Sequence, residues 1–177
     1  MNFLTKKGDV WISAAIYFGL GMVVLSIVLA AGLPVIKKLQ DKNTILQTKE
    51  VFFTLDNNIR EVARGGPGTQ RLVRMQVGKG TLMVHGLTDQ ITWTYDTKAP
   101  LSEPGQQIAE GHLLVLTTAT QTSAMWQTAL TLDYGDIVDL DGTLQQTFQG
   151  GTNVLIRNNG ESALLDNLVN VTISETL

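Results

Sequence analysis

The stretch VWISAAIYFGLGMVVLSIVLAAGLPVI, residues 10–36, decides how this chain is organised. It contains no charged residue and no His, and it is closed by Asp9 on one side and by Lys37-Lys38 on the other. A helix rises about 1.5 Å per residue, so this stretch would span about 40 Å, whereas the apolar core of a bilayer is about 30 Å thick. A bilayer or a packed bundle of helices satisfies both its side chains and its backbone, so we expect a hydrophobic helix over residues 9–36 that spans a membrane or lies in the core of a helix bundle.

The helical pattern continues beyond the apolar stretch. Leu39, Leu46 and Phe53 recur every seven residues, and a second set recurs at three, four and seven: Ile45, Phe52, Leu55, Ile59 and Val62. Residues 37–64 are therefore predicted to form an amphipathic continuation of the same helix. Gly65-Gly66-Pro67-Gly68 is a plain stop signal, and residues 65–69 are interpreted as a hinge.

From residue 70 the apolar period changes from 3.6 to 2, which is typical of strands. Val73, Met75 and Val77 alternate with polar neighbours, and Ile91, Trp93 and Tyr95 do the same. Gly78-Lys79-Gly80 and Gly150-Gly151 are interpreted as turns between short strands, and residues 98–111 as the longest irregular connection. The pattern predicts an α+β protein, with a long N-terminal helix followed by an antiparallel sandwich or small barrel over residues 70–177.

Composition excludes several classes of function. The 177 residues carry a net charge of −3 and no Cys, which excludes disulfides and thiolate metal sites. Lys and Arg are concentrated before about residue 80, and no basic stripe marks the distal portion. We therefore expect no nucleic-acid binding.

Three interpretations of the N-terminus remain open on composition alone. A secretory signal peptide would be cut near Ala30-Ala31-Gly32, although its apolar core is usually 7–15 residues long. A permanent signal anchor would keep the whole segment. The charge rule does not decide orientation, because Lys6-Lys7 on one side is matched by Lys37-Lys38 on the other.

The third interpretation rests on Lys6-Lys7-Gly8, then Asp9, then the apolar run and a helix that continues directly from it. This arrangement resembles an archaeal type IV prepilin with a class III signal peptide, in the archaellin and pilin superfamily. The resemblance implies that residues 1–8 are a leader, which a prepilin peptidase removes by cutting between Gly8 and Asp9. Bacterial relatives typically carry a Glu at the fifth mature position, where this chain has Ser13, a departure that favours an archaeal-type member.

The resemblance implies a structural subunit of a surface filament that polymerises through its N-terminal helix. The precursor would span the cytoplasmic membrane with its head outside, and an ATP-driven assembly machine would extract it into the filament. Small residues allow helix backbones to approach closely, so Ala15, Gly19 and Gly21 are predicted to lie at helix–helix contacts. Pro34 is expected to bend or loosen the helix near the membrane boundary. The alternative is a single-pass, membrane-anchored extracellular β domain that binds a partner.

No constellation in the sequence indicates catalysis, so no enzyme activity and no cofactor are expected. His85 and His112 stand apart and have no Cys nearby, and the serines lack a nucleophile-elbow context. Asp133, Asp136, Asp139 and Asp141 form the acidic cluster of the chain, but their spacing does not match an EF-hand, and no metal site is predicted. Asn170-Val171-Thr172 is an N-glycosylation sequon within the final predicted strand.

Overall fold

The computed structural model describes residues 5–98, 100, 102–120, 125–140, 145–163 and 168–176. The chain divides into two compact units, Met1–Asp41 and Lys42–Leu177. The first unit is helical in its described part. The second contains the end of the same helix and all of the described strands.

One helix, α1, runs from Thr5 to Arg64. It begins before Asp9, so Lys6, Lys7 and Gly8 have helical backbones, and Pro34 lies inside it. The helix ends immediately before the glycine-rich stop signal, where the Gly65 N–H donates to the carbonyls of Glu61 and Val62. Gly66 and Gly68 follow with φ angles of +81° and +89°, a backbone region that glycine enters without a steric penalty.

Within the described residues, eight strands follow the helix. Their bounds are β1 Gln70–His85, β2 Gln90–Thr97, β3 Gln107–Glu110, β4 Leu113–Ala119, β5 Trp126–Asp133, β6 Val138–Asp139, β7 Gln145–Glu161 and β8 Val169–Thr176. They pair in the order β3-β4-β5-β2-β1-β7-β8-β6, and every pairing is antiparallel except that of β6 with β8. The α+β prediction is confirmed.

The predicted sandwich or barrel is not confirmed, because the described strands form one open sheet that ends at β3 and β6. Alternate strand residues point to one buried face, as in β1, where Val73, Met75 and Val77 are buried. The apolar stripe of α1 packs into the same core: Ile45, Phe52, Leu55, Ile59 and Val62. The second layer that a sandwich would need is therefore supplied by the helix.

Two predicted turns lie inside long strands, and one strand lies where a loop was expected. β1 continues through Gly78-Lys79-Gly80 with a register shift between Val77 and Leu82, and β7 continues through Gly150-Gly151. A bulge inserts residues without reversing the strand, so glycine pairs there mimic a turn signal. The short strand β3 lies within the stretch 98–111 that was interpreted as irregular.

The bulge in β1 closes over Trp93, which is fully buried. The Trp93 Nε1–H donates to the Lys79 carbonyl at 2.9 Å. Gly80 has φ +80°, and a Cβ there would lie 2.5 Å from the Thr94 carbonyl oxygen and 2.6 Å from Trp93 Nε1. Glycine is therefore required at position 80 by both backbone angle and space.

Candidate assembly helix and processing site

From Trp11 to Ile36, the apolar segment of α1 has no cover among the described residues of its own unit. Its large apolar side chains are exposed, from Trp11 at 80% to Ile36 at 51%. The helical stretch Trp11–Arg64 contains a segment that is long and apolar enough to cross a membrane, and none of that segment is buried within the protein. An apolar surface of this extent requires lipid or other protein around it.

The small residues predicted to mediate helix contacts lie on this exposed segment. A Cβ atom built at Gly19, Gly21 or Gly32 would meet nothing within 4 Å. Ala15 is likewise exposed. These positions are sterically open to a neighbouring helix, and their role in packing remains a prediction.

The predicted processing residues lie at the start of α1. Lys6, Lys7, Gly8 and Asp9 have helical backbones, and their side chains lie outside the part of the structure that is described. Cleavage between Gly8 and Asp9 therefore remains a prediction from the sequence.

Within the second unit, a buried carboxylate joins α1 to the sheet. Asp56 accepts a hydrogen bond from the Tyr134 hydroxyl at 3.0 Å and one from Arg60 Nε at 2.8 Å, both at Oδ1. Its other oxygen lies 3.1 Å from His112 Nδ1. The Arg60 guanidinium also lies 5.8 Å from the centre of the Tyr134 ring.

This cluster was not predicted from the sequence, although one local signal for it exists. Asp56 and Arg60 are spaced i, i+4 beside the apolar stripe of an amphipathic helix, which indicates a charged pair at the edge of a core. Burial and the negative charge of Asp56 raise the pKa of Tyr134 well above its ordinary value, so the phenol remains a neutral donor. The cluster fixes the rotation of α1 against the sheet.

The end of α1 is closed by a buried asparagine from β7. Asn158 Nδ2 donates to the carbonyls of Val62 and Ala63, each at 3.1 Å, and its Oδ1 accepts from the Gly160 N–H. The last carbonyls of a helix have no partner within the helix, and here the Asn158 amide supplies a donor to Val62 and Ala63 in addition to the Gly65 N–H that donates to Val62. Asn158 thereby links the helix end to the middle of the sheet.

The two histidines lie in different settings. His85 ends β1 and is half-buried, whereas His112 lies in the turn between β3 and β4 with its side chain 61% exposed. Throughout the described ranges, no group of three or more His, Cys, Asp or Glu residues is arranged to hold a metal ion. The contact recorded for His112 is with Asp56, which is already bound by Tyr134 and Arg60.

Two carboxylates of the acidic cluster, Asp133 and Asp139, accept hydrogen bonds from different partners. Asp133 accepts from Gln90 Nε2 and from the Gly135 N–H, while Asp139 accepts from Ser162 and from Asn170. Asp136 is exposed, and Asp141 lies outside the described residues.

Buried Asp89 lies close to this cluster and accepts the Leu140 N–H at 2.7 Å. Burial raises the pKa of Asp89, and the charges of Asp139 and Asp133 add to that effect, whereas the Leu140 hydrogen bond opposes it.

The sequon asparagine is held on both sides of its amide. Asn170 Nδ2 donates to Asp139 at 3.2 Å, and its Oδ1 accepts from Asn159 Nδ2 at 2.8 Å. Asn159 also donates to Thr172, the third residue of the sequon. Attachment of a glycan to Asn170 would require the hydrogen bonds of its side-chain amide to be rearranged.

Comparison with known proteins adds no relative to this description. The chain matches no protein-family model, no curated protein and no solved structure.

Proposed function

We propose that this protein is the structural subunit of a type IV pilus-like surface filament and that it carries no catalytic activity. The observation that carries the proposal is the use of a single helix for two purposes. One part of α1 exposes an uninterrupted apolar surface, while residues from Ile45 to Val62 are built into the core of a folded head. A subunit held in a polymer through its helix requires both features.

The proposed pathway begins with a precursor in the cytoplasmic membrane, its head outside the cell. A prepilin peptidase removes residues 1–8, leaving Asp9 as the first residue and the apolar segment on the mature chain. Each Leu, Ile, Phe or Val contributes about −0.3 to −0.6 kcal/mol to membrane insertion, so leaving the bilayer requires a comparable environment. Neighbouring copies of the helix provide that environment, with Ala15, Gly19 and Gly21 allowing close approach.

The test is the N-terminal sequence and assembly state of the mature protein in its native host. We expect a chain that begins at Asp9 and is recovered from sheared cells as filaments visible by electron microscopy. Substitution Gly8→Leu should block cleavage and leave the precursor in the membrane, whereas the control substitution Thr5→Ser should be processed normally. A chain that retains Met1 and remains a detergent-solubilised monomer would contradict the proposal.

A second candidate is a single-pass, membrane-anchored extracellular domain that binds a partner. It is favoured by one observation, the presence of a helix able to cross a membrane. The same experiment separates the two, because an anchored domain keeps its complete N-terminus and does not sediment as a polymer.

A further inference from the structure

One part of β1 has a backbone edge with which no described strand pairs. β1 pairs with β7 along Gln70–Val77, but with β2 only from Thr81 to His85. At the start of this ladder the Asn158 N–H donates to the Thr69 carbonyl. Antiparallel pairing alternates, so the backbone groups of residues 71, 73, 75 and 77 face β7, while those of Leu72, Arg74 and Gln76 face the open side. Each of these three residues presents one N–H and one C=O there.

This open edge borders a groove of about 460 Å³. One wall is formed by α1, with Gln47, Glu50 and Val51, and the other by β1, with Val73, Arg74 and Gln76. The groove lies entirely within the second unit. Its lining combines the apolar Val51 and Val73 with polar side chains and a strand edge, which suits an extended backbone whose side chains alternate.

Among the described strands, the same head has a second open edge at β3, where the strand order ends. β3 and β4 are joined by Gly111-His112, with φ +63° at Gly111, and in a two-residue hairpin the flanking pair Glu110 and Leu113 is hydrogen-bonded. By alternation, the backbone groups of Gln107 and Ala109 point away from β4. The side chains of residues 107–109 are exposed.

The two edges lie on opposite flanks of α1 at the same level. Lys49 forms an ion pair with Glu110 of β3, whereas Gln47 and Val51 line the groove beside β1. Residues two apart on a helix differ by about 200° in direction, so Lys49 faces away from Gln47 and Val51. A copy placed beside the head can therefore bring its β3 to the groove while its own groove remains free for the next copy.

We propose that β3 of one copy adds as a strand to the open edge of β1 in the neighbouring copy, using the backbone groups of Gln107 and Ala109 against those of Leu72, Arg74 and Gln76. The inference rests on the proposed filament function and identifies the lateral contact between heads. One ion pair is available across the contact, between Arg74 on the acceptor edge, which shares the groove lining with Glu50, and the exposed Glu103 that precedes β3. Because the contact joins two different surfaces, each copy can accept one neighbour and donate to another, as an extended polymer requires.

Disulfide cross-linking of intact filaments tests this contact directly, because the chain contains no Cys. Paired residues of adjacent strands lie about 4.5–5.5 Å apart at Cα, within the range that a disulfide spans. Each of Leu72→Cys, Arg74→Cys and Gln76→Cys is combined with Gln107→Cys or Ala109→Cys in one full-length chain. We expect at least one combination to give, on oxidation, a ladder of covalent multimers beyond the dimer. Filaments mixed from the two single variants should give dimers only.

The matched control places the second cysteine on another sheet edge, as Ser174→Cys on β8 with each of the same β1 variants. Filaments that give no ladder in any β1–β3 combination, or an equal ladder with Ser174→Cys, would overturn the inference while leaving the filament function intact. Failure of the proposed filament function would give a different result, namely uncleaved chains that retain Met1 and form no filaments.

A second variant tests the backbone contact without cysteines. Ala109→Pro removes an outward-facing N–H and leaves the β3–β4 hydrogen bonds in place, whereas Gln107→Thr keeps every backbone donor. We expect Ala109→Pro to reduce the number and length of filaments while the urea midpoint of the head matches that of Gln107→Thr. Ala109→Pro filaments of normal number and length would overturn the inference.

Discussion

The Tyr134 hydroxyl donates a 3.0 Å hydrogen bond to the carboxylate of Asp56, and both side chains are buried between α1 and the sheet. Arg60 and His112 contact the same carboxylate. A charge that is nearly removed from water is tolerated when its oxygens are occupied by donors, as they are here. The cluster therefore fixes one rotation of the helix that apolar packing alone would specify less sharply.

Removing the carboxylate should destabilise the head strongly. Asp56→Ala leaves the buried Tyr134 hydroxyl and the Arg60 guanidinium without their acceptor, so we expect a loss of about 3–5 kcal/mol in the free energy of unfolding. Tyr134→Phe removes one hydrogen bond and should cost about 1–2 kcal/mol. Urea unfolding of the full chain in detergent measures both. The exposed Asn57→Ala is the control, and an Asp56→Ala variant as stable as that control would refute the assignment.

Loss of the helix-end cap should also be costly. Asn158→Ala removes the side-chain donor to the carbonyls of Val62 and Ala63, and because the Val62 carbonyl still accepts from the Gly65 N–H, we expect a loss of about 1–3 kcal/mol. Asn153→Ala changes the same residue type on the same strand at an exposed position and should be almost neutral. Equal urea midpoints for the two variants would contradict this prediction.

Substitution of the two glycines in the β1 bulge, Gly78 and Gly80, should have different effects on the stability of the head. Gly80→Ala forces a Cβ against the Thr94 carbonyl and the Trp93 indole at a positive φ, and should destabilise the head by about 3 kcal/mol or more. Gly78→Ala introduces the same methyl group into open space, so its effect should be small. Urea unfolding of the full chain measures both variants, and a Gly80→Ala variant as stable as Gly78→Ala would count against the described bulge.

Asp89 should make the stability of the head depend on pH, with a sign that follows from the direction of its pKa shift. Its pKa in the folded head is raised above the ordinary value of 3.8, so the folded protein takes up this proton at a higher pH than the unfolded chain does. This contribution to stability is complete below 3.8 and is lost as the pH rises through the folded-state pKa.

Asp89→Asn keeps the acceptor for the Leu140 N–H and tolerates the φ angle of +52°. We therefore expect the variant to gain stability relative to wild type at neutral pH, and that advantage to disappear in acid. Unfolding measured between about pH 3 and 7 tests this, with Asp136→Asn as the exposed control. A wild-type minus variant difference that does not change with pH would exclude Asp89 as the source.

The filament proposal predicts a separate effect of bulk on the exposed helix. Gly19→Leu keeps the segment apolar, so the precursor should still insert into the membrane and be cleaved. Close backbone approach is lost, so the yield of filaments should fall. Leu20→Ile changes shape without adding volume and should assemble normally; equal filament yields for the two variants would argue against a helix contact at Gly19.

Periodicity was sufficient to predict the layout of the chain. The apolar run, the change from a 3.6-residue to a 2-residue period and the Gly65–Gly68 stop signal are local features, and α1 followed by an antiparallel sheet reproduces them. The candidate sites followed only in part. Helix contacts at Gly19 and Gly21 stay a prediction from residue size, whereas the Asp56 cluster and the Asn158 cap were not predicted because they join residues far apart in the chain.

The tertiary structure decided between alternatives that the local sequence pattern does not distinguish. Two apolar stripes were visible after Ile36, yet Phe52 and Leu55 are buried in the head, while Leu46 and Phe53 are exposed. The glycine pairs of β1 and β7 were consistent with turns, but they are bulged and continuous because a neighbouring strand pairs on both sides of them. Whether a sheet closes, and which helix face it covers, depends on long-range pairing and burial. A short sequence window contains neither.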